Sequence, residues 1–426
     1  MMTPFSEKEI DRLSHASDLL VAANLPLKVL QSIAWSKSVG DTFFAHKAKE
    51  LPIVEYPQID VSASLDAVTE ARKFIQGDSP VHEWLSRIAD NVAETAYMLS
   101  SLGTPAFYEH SKNLFGTPKK LLWDGKHTAL DLAEQQDKTL SRFNHYDLVD
   151  ADFKTLTAKQ VRALMRPHIK KHFGDQAPTI EIVEDLSAKA VAGTRSIKLR
   201  KSAPFTDLDA RQLLTHEAHI HIATTLNGEA QDKFKILSSS HAGSTKTQEG
   251  LAVFSEIVSG VMDPIRMKRL SDRVMAIQLA IDGADFLDVY KFFLERSPNE
   301  FEAFENSRRV MRGGVMSGGA PFTKDGVYLE GLLRVHNFLQ VTIPTGNTVF
   351  LNLLFCGKLD LDDVEALMML NEQGLLTPPK FMPPWARDKR FLVSMLSYSK
   401  FLHQIDFDVV HEKYESLIQM GKDTDK

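Results

Sequence analysis

The stretch His216-Glu217-Ala218-His219-Ile220-His221 sets three imidazoles and a carboxylate in the middle of an otherwise apolar segment. Burying a polar group without a partner costs on the order of 1–3 kcal/mol, so a fold that buries this segment must give these side chains a ligand or partners. The surrounding pattern predicts a helix. Thr206-Asp207-Leu208-Asp209 places a hydroxyl three residues before a carboxylate, which suits the first free amides of a helix. The apolar run then continues to Leu226, and Asn227-Gly228, which tolerates the left-handed turn, is expected to end it. Upstream, Thr179-Ile180-Glu181-Ile182-Val183 and Thr194 to Arg200 alternate with period two and read as strands.

Neutral imidazole is a common zinc ligand, and a carboxylate beside the metal can take a proton from bound water. The usual zinc helix spells His-Glu-x-x-His, because a four-residue step leaves both imidazoles on one face. Here position 220 is Ile, and the five-residue step from His216 to His221 turns about 140° on a regular helix. One local widening, such as a π-bulge, would bring the two together. The rival pair is His216 with His219, and the pattern alone leaves both open. A third ligand must come from elsewhere in the chain. Glu249 is the candidate, at the entrance of an expected second helix that opens Glu249-Gly250-Leu251-Ala252-Val253-Phe254 after a polar loop over 231–248. His241, within that loop, is the competitor. Glu256 falls on the same helical face as Glu249 and suits an imidazole N–H acceptor. The blander reading is that histidines on an apolar helix are satisfied core residues, and in a chain with 15 histidines such a spacing can arise by chance.

The chain has 426 residues, 43% of them hydrophobic and 25% charged, the balance of a folded globular protein. Its net charge of -6, with Lys and Arg scattered, leaves no electrostatic footprint for nucleic acid. The expectation is a cytoplasmic protein that meets no membrane, since Met1 to Glu9 lacks the pattern of an export signal and no apolar run reaches the roughly 20 residues of a span. Cys356 is the only cysteine and lies in apolar company, so neither a disulfide within the chain nor a thiol nucleophile is expected. Residues 1–150 read as a helical region, with Ile10 to Ala23 and Trp84 to Leu102 as its clearest helices. Residues 151–426 read as the chemical domain, ending in a mainly helical part. The expected fold class is α+β and predominantly helical.

Four ordered segments carry a resemblance to a known family: Leu214-Thr215-His216-Glu217-Ala218-His219-Ile220-His221, Thr247-Gln248-Glu249-Gly250-Leu251-Ala252, Arg309-Val310-Met311-Arg312-Gly313-Gly314 and Pro321 to Tyr328. Leu114 to Pro118 and Phe355-Cys356-Gly357-Lys358-Leu359-Asp360 add weaker echoes. The chain resembles the QEGLA-motif proteins, described as modulating flavohaemoglobin expression, whose eukaryotic relatives include the microtubule-associated tyrosine carboxypeptidases. It departs from their usual helix in carrying His219. The resemblance implies His216, His221 and Glu249 as ligands of Zn2+, Glu217 as general base, and a zincin-like core with a small mixed sheet and an active-site helix. It also implies that the strand at 194–200 adds an extended peptide to the sheet edge.

A carboxypeptidase needs a cation for the terminal carboxylate, and Arg309, Arg312 and Lys324 are the candidates; the bland alternative for each is an ordinary surface charge. Tyr328 can donate to a developing oxyanion, or else be a buried aromatic with a bonded hydroxyl. The resemblance thus implies a zinc metallopeptidase that releases a C-terminal, possibly aromatic, residue from a peptide or protein; tubulin itself is not the expectation. The alternative is a non-catalytic regulatory protein with a structural metal. Oligomeric state and physiological substrate are not written in these residues.

Overall fold

The computed structural model describes residues 4–143, 155–184, 186 and 188–424. The expected boundary between residues 150 and 151 lies outside the described residues. Helix α1 (Glu7–Asn24) starts where the Ser6 hydroxyl accepts from the Glu9 amide, and it buries Leu13, Ala16, Leu20 and Ala23 on one stripe. That stripe packs against the helix Ser62–Phe74 and against α2 (Pro80–Ser100), which carries Trp84, Leu85, Ile88 and Val92 inward. By length and composition one window within Glu7–Ala45 would pass as a membrane span, a feature the sequence reading missed, but α1 commits its apolar stripe to the core. The same core takes in Ile220, Leu251 and Val327, so the N-terminal helices and the elements around the histidines share one interior.

The chain is predominantly helical, with a three-stranded mixed sheet. Strand β1 (Thr179–Val183) runs parallel to β3 (Ser196–Arg200), and β2 (Ala190–Ala192) lies antiparallel on the other side of β3. Period-two alternation turns Ile197 and Leu199 inward, both fully buried, against Val161, Met165 and Ile169 of α3 (Ala158–Phe173). The order β1-β3-β2 makes β3 the central strand. The expected pairing of an extended peptide with residues 194–200 is therefore corrected: both sides of β3 are taken, and β2, too short for a readable alternation, is an edge strand among the described residues.

From β3 the chain enters the long helix α4 through a capping box: the Thr206 hydroxyl accepts from the Asp209 amide while Asp209 accepts from the Thr206 amide. Helix α4 is α-helical over Asp207–Leu213, π-helical over Leu214–Ile222 and α-helical again over Ala223–Glu229. It does not stop at Asn227-Gly228. Gly228 serves close approach instead, since a Cβ there would fall 2.1 Å from the Leu237 carbonyl oxygen, and Asn227 ties two loops by donating to the Phe355 and Phe381 carbonyls. Helix α5 (Ala242–Val258) begins earlier than expected, so Glu249 sits inside it and not at its entrance. Its first turns look loop-like in sequence because Ser244, Thr247 and Gln248 are polar, yet all three are buried. Helices α6 (Pro264–Ile281), α7 (Glu300–Met311) and α8 (Val327–Thr342) complete the surroundings. Helices α5 and α8 touch backbone to backbone at Gly250 and Gly331, where a Cβ on Gly250 would fall 2.1 Å from the Gly331 carbonyl carbon.

Candidate metal centre and cleft

The π-helical stretch resolves the five-residue spacing. Bonding from residue i to i+5 stacks residues five apart, and the His216 and His221 rings lie 4.8 Å apart between centroids with their planes at 80°. His219 faces elsewhere, against His172 of α3 at 4.6 Å. Burial, with the neighbouring His172, His168 and Arg387, pushes the His219 imidazole down to about 3, so it is a neutral packing residue. His241 is also apart from the pair: it precedes α5, burial pushes it down to about 4, and neither ring nitrogen has a hydrogen-bond partner.

Helix α5 packs along the π-helical stretch and delivers Glu249. Glu249 Oε2 lies 3.5 Å from His216 Nε2 and 3.6 Å from His221 Nε2. Three ligand atoms of these residues fall within 4.8 Å of one another. Ligand bonds of 2.0–2.2 Å in a tetrahedron place neighbouring donors roughly 3.3–3.6 Å apart, so the two separations fit one small cation. The chemistry of the set agrees, because Glu249 Oε2 is buried and has no hydrogen-bond partner among the described residues.

The surroundings aim the ligands. His216 Nδ1 is 2.6 Å from Glu256 Oε1, which keeps a proton on Nδ1 and turns Nε2 toward Glu249. Glu256 is fully buried and also receives Gln212 Nε2 at 2.9 Å and Arg266 Nη2 at 2.6 Å. Burial pushes Glu256 up, but Arg266 and His216 outweigh it and hold the carboxyl at about 2. Burial would likewise push His216 down, yet the Glu249 carboxylate 3.5 Å away and the bond to Glu256 lift it to about 9. The site thus favours positive charge at this point. Glu249, which burial alone would push up, is held well below the usual carboxylate range by Lys324 and the two imidazoles.

Glu217 projects toward a cleft of about 350 Å³, which His216, Arg269, Arg273, Arg309 and Tyr328 also line. Its Oε2 accepts from the Ala192 amide on β2 at 2.8 Å, which fixes the carboxylate against the sheet edge. The three cations expected from sequence are placed differently from one another. Lys324 donates to Glu249 Oε1 at 3.2 Å and so holds the carboxylate that faces the two imidazoles. Arg309 lines the cleft but is forked onto Asp325 at 2.7 and 3.1 Å. Arg312 is buried and does not line the cleft. Tyr328 lines the cleft, and burial, with Glu249 and Asp325 nearby, pushes its hydroxyl up, so it stays a donor at neutral pH.

The sequence reading missed Arg269. It lines the cleft, burial and the adjacent Arg266 lower its pKa, and among the described residues it makes no ion pair or side-chain hydrogen bond. The available signal was Arg266, Arg269 and Arg273 at steps of three and four, one face of a helix.

The sequence matches the family described as microtubule-associated tyrosine carboxypeptidase over residues 41–404, a span that contains every residue of the site. No curated protein matches the chain. By the extent of that match, the chain belongs to the microtubule-associated tyrosine carboxypeptidase family.

Proposed function

We propose that the protein is a zinc-dependent carboxypeptidase that removes the last residue, tyrosine or another aromatic, from a peptide or protein chain. The observation that carries this reading is the convergence of His216 Nε2, His221 Nε2 and Glu249 Oε2 on one point, with His216 lining the same cleft as Glu217. Zinc bound there would supply a Lewis acid and a water of lowered pKa. Glu217 then takes a proton from the attacking water and passes it to the departing amine, so the C–N bond breaks with the proton balanced. Tyr328 donates to the oxygen of the carbonyl as charge develops on it.

The terminal carboxylate is read by arginine in this account. Arg269 carries most of that role because its fork makes no direct ion pair among the described residues, with Arg309 and Arg273 beside it sharing Asp325. Arg312 and Lys324, expected from the sequence, act behind the cleft and not in it. The extended substrate pairs with β2, whose outer side carries no strand among the described residues and whose Ala190 lines the cleft beside Ala188 and Lys189, while its Ala192 amide holds Glu217. We read the sheet, the helix of the two histidines and the later glutamate as a zincin-like core on this support. The family's printed name carries microtubules and tyrosine; for this chain we propose the aromatic C-terminus and not tubulin.

The second reading is a regulatory protein with a structural metal. Structural zinc takes four protein ligands and catalytic zinc takes three and a water; the three-ligand set at a cleft favours the catalytic reading. The test is a library of peptides varied at the last position, incubated with zinc-loaded protein and followed by mass spectrometry. Loss of one terminal residue supports the proposal, and stoichiometric zinc without any cleavage supports the structural reading.

A further inference from the structure

At the return from π- to α-helix, side-chain donors gather on one backbone carbonyl, that of His221. His221 O accepts from Lys358 Nζ at 2.9 Å and from the Thr225 hydroxyl at 2.8 Å. Lys358 is buried and has no carboxylate partner among the described residues. A buried ammonium without a counter-ion is rare because its desolvation is costly, so its two remaining contacts are informative. Its Nζ also donates to Gln248 Oε1 at 3.2 Å, and Gln248 in turn lies 2.8 Å from the Thr224 hydroxyl. Gln248 immediately precedes Glu249, and the backbone of Lys358 is anchored by its amide on the Leu237 carbonyl at 2.6 Å.

We propose that Lys358 is a positioning residue that ties the carbonyl of one metal-facing ligand, His221, to the neighbour of another, Glu249, through Gln248. It fixes the axial position of the π-helical stretch relative to α5, and with it the separation of His221 Nε2 and Glu249 Oε2. The inference rests on the metal site proposed above. Thermodynamically the tie has two opposed consequences. Removing an unpaired buried charge relieves desolvation, whereas removing the tie lets the donors drift apart.

The test measures the zinc dissociation constant by chelator competition, the visible spectrum of the cobalt(II)-substituted protein and the melting temperature of the metal-free chain. In Lys358→Met, zinc affinity is expected to fall about 10–100-fold, the loss typical for groups that orient ligands, with a changed cobalt spectrum and a metal-free melting temperature equal to or above wild type. Lys358→Arg, which keeps a donor, is expected to recover part of the affinity. Gln248→Leu is expected to lower affinity in the same direction and carries the test should Lys358→Met not fold. Wild-type zinc affinity and cobalt spectrum in both variants would overturn the inference while leaving the metal site standing; a wild-type chain that binds neither ion would overturn the metal site and this inference with it. A melting temperature and an affinity that fall together, without recovery in Lys358→Arg, would assign Lys358 to stability alone and also overturn it.

Discussion

His216 Nδ1 and Glu256 Oε1, on facing helices, lie 2.6 Å apart in the fully buried interior behind the cleft. The contact orients the ring, fixes which nitrogen carries the proton and makes the other nitrogen more basic. Glu256→Gln keeps the shape and removes the charge. Zinc affinity is expected to drop about 10–100-fold, measured by chelator competition; an unchanged dissociation constant would show that the pair does not serve the metal.

Glu217 stands beside the ligand cluster and, among the described residues, is anchored by the Ala192 amide alone. Glu217→Gln retains that bond and loses the base. We expect zinc content to stay at the wild-type ratio and the rate of peptide cleavage to fall at least 10²–10⁴-fold, read by single-turnover assay. Cleavage at the wild-type rate would remove Glu217 from the chemistry.

Arg269 is argued to hold the substrate's terminal carboxylate. A hydrogen bond to a charged group contributes about 1.5–3 kcal/mol, so Arg269→Met should lower kcat/KM about 10–100-fold for a free C-terminus. The same variant should treat an amidated peptide as wild type does. Equal loss on both peptides would place Arg269 in the scaffold.

A pH dependence follows from Asp363, far along the chain from the ligands. Burial, then the nearby Asp360 charge, pushes its carboxyl up to about 7, against the pull of the Asp360 amide and Arg87. With the folded pKa raised above the unfolded 3.8, the protonated form favours folding. That contribution is full below the unfolded value and is lost as pH rises through about 7. Melting temperature should therefore decline less between pH 5 and 8 in Asp363→Asn than in wild type, as followed by calorimetry. Parallel profiles would exclude Asp363 as the source.

The chemistry-bearing residues were legible because their identity, not their surroundings, announces them. Imidazoles and a carboxylate in an apolar helix stand out, but the pattern leaves His216 with His221 and His216 with His219 both open, and the π-helical stretch brings the first pair together. The features missed depend on tertiary context. Helix α5 starts at Ala242 although Thr247 and Gln248 read as loop, because their hydroxyl and amide are paired across the interior with Asp360, Thr224 and Lys358. Strand β2 has three residues, too few to show a period, and its presence alone moved the sheet edge from β3. Whether an arginine is paired is likewise a property of neighbours: Arg309 is forked onto Asp325, and Arg269 makes no direct ion pair among the described residues.

The measurement that bears most directly on the account is metal analysis of the purified chain beside its Glu249→Ala variant. Three shared ligands predict one zinc ion per wild-type chain and its loss at the same free zinc concentration when Glu249 is removed. A wild-type chain that holds no metal, or a variant that keeps zinc at the wild-type ratio and affinity, would contradict the claim that His216, His221 and Glu249 hold one ion.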